Sequence, residues 1–315
     1  MFTLKQFYTQ NNHSIQRYDT QPSSLKGLTK LSLFKPEDDG LLDSTDDSFQ
    51  LLIEKVNDQL FFRKDKNEEL VIWEVFATKK VIETSLMKNL EASSFDFILW
   101  PTEHFQPPKL LVFDMDSTFI QIEVIDELAR KHGVGESVSK VTEAAMRGEL
   151  DFSESLISRV ACLKGLAEST IADIANNLPL SAGVEQLVSQ GAKQQVETAI
   201  VSGGFTPFVE HLRKTMGLYE VKANNLEIID NQLTGKVLGE IVDAQAKAVF
   251  VNHLKGQLQL QVNDILTIGD GANDLLMMKE SGFSLAYRAK PAVQAQAKGR
   301  MNHSQLNHLL AVFGW

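Results

Sequence analysis

Cysteine is almost absent. Cys162 stands alone among 315 residues, so no internal disulfide can form and secretion gains no support. No apolar run approaches the roughly 20 residues that a membrane-spanning helix needs. The start, Met1-Phe2-Thr3-Leu4-Lys5-Gln6, lacks the apolar core of a signal peptide. Basic residues are the minority, 31 Lys and Arg against 41 Asp and Glu, for a net charge of −10 and a pI of about 5.3. That balance argues against nucleic acid or anionic membranes as main partners. Internal repeats and low-complexity segments are missing as well. The expectation is a cytoplasmic globular protein, and 43% hydrophobic residues in a chain of this length can bury more than one core.

What the chain does have is a series of short apolar runs that end abruptly in polar residues. Lys109-Leu110-Leu111-Val112-Phe113 runs into Asp114-Met115-Asp116-Ser117-Thr118. This pattern predicts a buried parallel strand whose carboxyl end opens into a site, with Asp114 and Asp116 at i and i+2 converging while Met115 faces away. Paired carboxylates there suit phosphoryl transfer, one attacking and its neighbour handling protons. Asp-x-Asp also occurs in calcium loops, but those are polar throughout. A second run, Glu197 to Val201, reaches Ser202-Gly203-Gly204-Phe205 ahead of a helical stretch, Thr206 to Met216. A hydroxyl, close-approaching glycine backbone and a helix start can hold phosphate oxygens, although Ser-Gly-Gly is also a common loop.

Lys247 follows in Asp243-Ala244-Gln245-Ala246-Lys247. On its own it reads as a solvated helix charge; between phosphate-binding and acidic elements it can neutralise developing charge. The fourth element, Asp264-Ile265-Leu266-Thr267-Ile268-Gly269-Asp270-Gly271-Ala272-Asn273-Asp274, again runs from strand to acids and opens a helix at Leu275. Asp270 is a candidate Mg²⁺ ligand, Asn273 and Asp274 can orient the loop or outer-shell waters, and Asp274 can equally be a plain helix cap.

Strands alternating with helices demand an α/β fold with a doubly wound parallel sheet. Helical patterns at 124–130, 138–147, 152–163 and 169–176 predict a small helical bundle inserted after the first core strand, before a helix at 183–190. Leu226 to Val237 reads as a hairpin turning at Asp230-Asn231, and Phe283 to Tyr287 as a last strand before a weakly patterned tail. Upstream, 70–76, 80–91 and 95–100 suggest a βαβ unit, and Pro101 with Gln106-Pro107-Pro108 a linker. The acidic run from Glu37 to Asp47 reads as a solvated loop. The expected organisation is a separate α+β N-terminal domain over 1–106, a catalytic core over 107–122 and 184–315, and a cap over 123–183.

DMDST, VSGGF, Lys247 and GDGAND, in this order, resemble the motif series of the haloacid dehalogenase-like phosphatases. Glu123 nine residues after Asp114, the stretch Glu143 to Phe152 and Arg159 are similar to its phosphoserine-hydrolysing branch. The likeness runs from about Lys109 to Ala292. Phe119 and Tyr287-Arg288 depart from the usual pattern, standing where smaller residues are commoner.

The resemblance implies a Rossmann-like core and Mg²⁺-dependent hydrolysis of O-phospho-L-serine, the last step of serine biosynthesis, through an aspartyl-phosphate. Asp114 would be the nucleophile and Asp116 the general acid and base. Asp114, Asp270 and the Asp116 backbone carbonyl would hold the metal. Ser202, Gly203 and Lys247 would hold the phosphate, with Asn273 in support. Glu123 and Arg159 would take the ammonium and carboxylate of the substrate. Met146 and Phe152 would wall the cavity against water, or simply pack in a core. By analogy the N-terminal part is either an amino-acid-binding regulatory fold or a packing and dimerisation domain, the latter giving a homodimer. Another phosphomonoesterase, a phosphotransferase, or a non-catalytic binding protein on the same scaffold remain alternatives.

Overall fold

The computed structural model describes residues 6–11, 14–18, 29–36, 60–66, 70–83, 87–90, 93, 95–101 and 106–315. The acidic run Glu37 to Asp47 lies outside them. The described strands are β1 (Gln6–Asn11), β2 (Ser14–Tyr18), β3 (Thr29–Pro36), β4 (Leu60–Lys66), β5 (Leu70–Ala77), β6 (Asp96–Leu99) and β7 (Leu110–Phe113). They continue with β8 (Glu197–Phe205), β9 (Glu220–Ile229), β10 (Gln232–Leu238), β11 (Ile265–Gly269), β12 (Phe283–Tyr287) and β13 (Gly299–Met301). All join one sheet in the order β10-β9-β8-β7-β11-β12-β13-β6-β3-β5-β4-β1-β2.

From β9 to β13 the pairings are parallel. The central strands β7 and β11 are buried at every residue. Helices on both faces leave no wet side, which is why these strands read as continuous apolar runs rather than alternating ones. Helices Val184–Lys193, Thr206–Met216 and Ala244–Gln257 flank the sheet at the positions expected. Hairpin β9–β10 turns at Asp230 and Asn231, both left-handed at φ 51° and 59°, the geometry of a type I′ turn.

Between β7 and β8 come the cap helices Val124–His132, Gly135–Met146, Phe152–Cys162 and Glu168–Ala175. Gly133 closes the first of these in the left-handed conformation at φ 76°. Asp151 and Glu154 form a reciprocal capping box that fixes where Phe152 begins the third. The hairpin leans on this cap: Leu166 and Leu233 share a backbone hydrogen bond, as do Glu168 and Asn231, at 2.9 Å each. Phe119, in the turn leading out to the cap, packs edge-on against Phe113 with ring centroids 5.2 Å apart.

Two expectations need correction. The segments 70–76 and 95–100 are strands running in the same direction, but β3 lies between them and pairs antiparallel with both. They therefore do not form an adjacent βαβ pair; β3, upstream of both in the chain, satisfies the inner edges of both. The tail after β12 also supplies β13, a three-residue strand between β12 and β6. Among the described residues, no helix is long and apolar enough to cross a membrane.

The N-terminal strands have their own core around Leu31, Leu33, Trp73, Val75 and Phe97, yet they extend the parallel sheet edge to edge through β6 and β13. Two buried charges tie the junction. The Asp96 carboxylate accepts hydrogen bonds from the backbone amides of Asn302, His303 and Ser304 at 2.6, 3.1 and 2.7 Å. In the opposite direction, Arg300 Nη2 donates to the carbonyls of Leu90 and Phe95 at 2.8 and 3.1 Å. Asp96→Ala would leave three backbone amides without their acceptor, that of Ser304 buried, and is expected to lower stability by about 3 kcal/mol. Urea unfolding monitored by tryptophan fluorescence measures this; a loss below about 0.5 kcal/mol, the level of an ordinary surface substitution, would contradict it.

Candidate active site

The site forms where the parallel strands deliver their carboxyl ends. After β7 the chain does not continue as a strand: Met115–Phe119 is a tight turn in which Asp116 is extended and Ser117 left-handed at φ 56°. The i, i+2 alternation inferred for Asp114 and Asp116 therefore does not apply, because β7 stops at Phe113. The turn brings both acids to one cavity all the same, and Met115 is fully buried in the core, as the alternation would have had it. That cavity measures about 510 Å³ and lies between the sheet and the cap.

Every residue singled out from the sequence except Lys247 and Asp274 lines it: Asp114, Asp116, Glu123, Met146, Phe152, Arg159, Ser202, Gly203, Asp270 and Asn273. Lys247 sits behind the wall, fully buried, with Nζ 2.8 Å from Asp114 Oδ1 and 2.7 Å from Asp274 Oδ1. It is no solvated helix charge. Asp274 is no mere cap either. Its Oδ1 takes the Lys247 ammonium, while its Oδ2 accepts the amides of Asp270 and Gly271 at 3.1 and 3.0 Å. Met146 and Phe152 are 84% and 37% exposed, which excludes core packing for both.

β8 passes through Ser202-Gly203-Gly204 rather than ending at Ser202, and its register with β9 breaks between Val201 and Phe205. Ser202 Oγ accepts the Gly204 amide at 2.8 Å. A Cβ on Gly204 would come within 2.7 Å of Asp116 Oδ2 and 2.8 Å of Met115 Cε, so a side chain there would push the Asp116 carboxylate or the Met115 tip aside. Sequence reasoning passed over three supports. Asn224, fully buried, donates to the Gly203 carbonyl and accepts the Val242 amide, both at 2.8 Å, joining the end of β8 to the approach to Lys247. Thr118 Oγ1 donates to Asp270 Oδ1 at 3.4 Å, linking the first and last motifs. Lys290 lines the cavity and donates its amide to the Asp270 carbonyl at 3.1 Å. Thr118 stood within DMDST and could have been singled out; the other two carry no local signal.

The electrostatics follow from crowding acids out of water. Burial and the Asp274 charge push Asp114 from 3.8 up to about 7, even with Lys247 opposing. Burial and the charges of Asp274 and Glu123 push Asp270 up to about 6. Asp116 is raised well above the usual carboxylate range by burial, then by Glu123 and Asp114. Burial disfavours the Lys247 ammonium, but Asp114 and Asp274 outweigh it and hold its pKa above the ordinary value. Arg159 is lowered by burial against the pull of Asp126, Glu123 and Asp116.

Such an excess of negative charge fits a cation. Carboxylate oxygens of Asp114, Asp270 and Asp274 lie within 4.8 Å of one another. Both oxygens of Asp274 are already engaged, and Asp114 Oδ1 accepts the Met115 amide at 2.7 Å as well as Lys247. Asp114 Oδ2 and the Asp270 carboxylate are the hard donors left for a divalent ion.

A sequence profile of the haloacid dehalogenase-like hydrolases matches residues 108–282, more than half of the chain. The chain belongs to that family. It is 47% identical over 205 residues to the phosphoserine phosphatase of Idiomarina loihiensis, covering 65% of this chain and 92% of that one. It is 48% identical over 203 residues to the phosphoserine phosphatase of Haemophilus influenzae, of which it spans 65%, with 64% of this chain covered. The crystal structure of a probable phosphoserine phosphatase from Vibrio cholerae superposes with a TM-score of 0.75 at 33% identity, covering 94% of this chain and 88% of that chain. As a haloacid dehalogenase-like hydrolase the chain is an enzyme. Its acidic cluster, Asp114, Asp270 and Asp274, sits where the first and last of its motifs meet.

Because Asp114 and Asp270 bind protons more tightly folded than unfolded, the metal-free protein takes up protons on folding between pH 3.8 and about 7. Their contribution to stability therefore falls as pH rises through that window. Protons also compete with a cation for the same oxygens. Thermal melts in chelator and in excess Mg²⁺, compared from about pH 5 to about pH 7.5, should show a cation-induced rise in Tm that grows with pH. A rise independent of pH would contradict this electrostatic account.

Proposed function

We propose that the protein is a Mg²⁺-dependent phosphoserine phosphatase that hydrolyses O-phospho-L-serine to L-serine and phosphate through an aspartyl-phosphate. One observation carries the proposal: the acids and lysine of a phosphoryl-transfer site and the Glu123–Arg159 pair line or adjoin a single cavity. The similarity to the phosphoserine phosphatases of Idiomarina loihiensis and Haemophilus influenzae supports the same substrate.

On this reading a carboxylate oxygen of Asp114 attacks phosphorus and the bond to the serine oxygen breaks. Asp116, whose raised pKa favours a held proton, gives that proton to the leaving oxygen. It then takes one from water, which attacks the aspartyl-phosphate, frees phosphate and restores Asp114. Ser202 and the Gly203 amide hold phosphate oxygens, and Lys247, paired with Asp114 behind the cavity wall, offsets the developing charge, with Asn273 in support. Asp114, Asp270 and the Asp116 backbone carbonyl would hold Mg²⁺, which when bound offsets the repulsion between carboxylate and phosphate.

Specificity falls to the cap side. Arg159 grips the substrate carboxylate and Glu123 its ammonium. Met146 and Phe152 exclude water as 123–183 closes over 107–122 and 184–315.

Phosphate release from phosphoserine and from a simple alkyl phosphate tests the proposal. Asp114→Asn should abolish both while the protein stays folded by circular dichroism. Arg159→Ala should lower kcat/KM for phosphoserine by about 100-fold while the simple ester changes little, since a lost bidentate pair is worth about 3 kcal/mol. Equal losses for both esters would make Arg159 structural and remove the phosphoserine assignment.

A further inference from the structure

We propose that Ser117 is a positioning residue: its hydroxyl fixes the Glu123 carboxylate at the cavity edge and thereby sets selectivity for esters that carry an ammonium group. The inference rests on the phosphoserine reading above.

Ser117 does not line the cavity, whereas Glu123 does. Its Oγ donates to Glu123 Oε1 at 2.7 Å, and its amide donates to the Ile122 carbonyl at 3.3 Å. The neighbouring Asp116 Oδ1 accepts the Val124 amide at 3.0 Å. The turn after β7 thus grips the chain on both sides of Glu123, just where the cap begins.

Two physical features say that the serine side chain is kept for a purpose. Ser117 is left-handed at φ 56°, a conformation that glycine adopts without strain and a serine does not. On backbone grounds alone glycine belongs there. Glu123 is also an exposed residue with a long side chain, close enough to Asp116 to raise its pKa by like-charge repulsion. Left unheld, the Glu123 carboxylate would swing toward water and away from Asp116. The Ser117 hydroxyl opposes both tendencies, so the carboxylate is already in place when a substrate arrives.

The test compares wild type, Ser117→Gly and Ser117→Ala on phosphoserine and on 3-(phosphonooxy)propanoate, the same skeleton without the ammonium. Both variants should lose about tenfold in the ratio of kcat/KM values, mainly through a higher KM for phosphoserine. Ser117→Gly should do so with a Tm at or above that of wild type, since it relieves the backbone. An unchanged ratio in either variant would overturn the proposal. So would a Ser117→Gly protein that loses Tm and both esters together, which marks a merely structural serine. If wild type turns over both esters equally, the phosphoserine reading itself fails; a wild-type preference that survives in the variants sinks only the role of Ser117.

Discussion

Lys247 lies fully buried between two carboxylates, 2.8 Å from Asp114 and 2.7 Å from Asp274, and these contacts join the first, third and last motifs. An ammonium cannot be buried unpaired, and neither can either acid. Each of the three is tolerable only because the others are there. The same ion cluster sets the chemistry. It holds one oxygen of Asp114 and leaves the other open, and through Asp274 it pins the amides of Asp270 and Gly271. Its single positive charge does not balance the acids around it, so Asp114 and Asp270 hold their protons to higher pH than ordinary carboxylates do. A protein with net charge −10 can accept an anionic ester on such terms only by supplying cations locally.

The parallel sheet is what makes this convergence possible. β7 and β11 are adjacent and in register, Phe113 opposite Ile268, so Asp114 and Asp270 emerge side by side although 156 residues separate them. β8 stands on the other side of β7 and adds Ser202, Gly203 and Gly204 near its carboxyl end. The cap enters directly from the turn that carries Asp116, and its third helix returns Phe152 over Gly203. On the proposed reading the phosphate and metal groups come from the core side of the cavity, and the selecting pair, Glu123 and Arg159, from the inserted segment.

Much of the site was legible because strand ends announce themselves: apolar runs that stop at acids or at a hydroxyl-glycine pair. The cap helices were equally clear, since glycine stops and apolar spacing are local signals. What escaped is tertiary in origin. β13 has three residues and no pattern of its own; its place is decided by β12 and β6 on either side. The insertion of β3 between β5 and β6 cannot be read from either strand. The burial of Asp274 was hidden because an acid at a helix start looks the same whether it caps the helix or neutralises a lysine 27 residues away. Asn224, in the middle of β9, becomes meaningful only when Gly203 and Val242 are brought beside it.

The central claim is that Asp114 and Asp270 share one divalent ion beside a bound ester. Crystals grown with Mn²⁺, an oxygen-preferring octahedral ion, and measured at its absorption edge test it most directly. The account predicts one anomalous peak within coordination distance of a carboxylate oxygen from each residue, adjoining the cavity that Glu123 and Arg159 also line. A peak held by other residues, or none at saturating Mn²⁺, would contradict it.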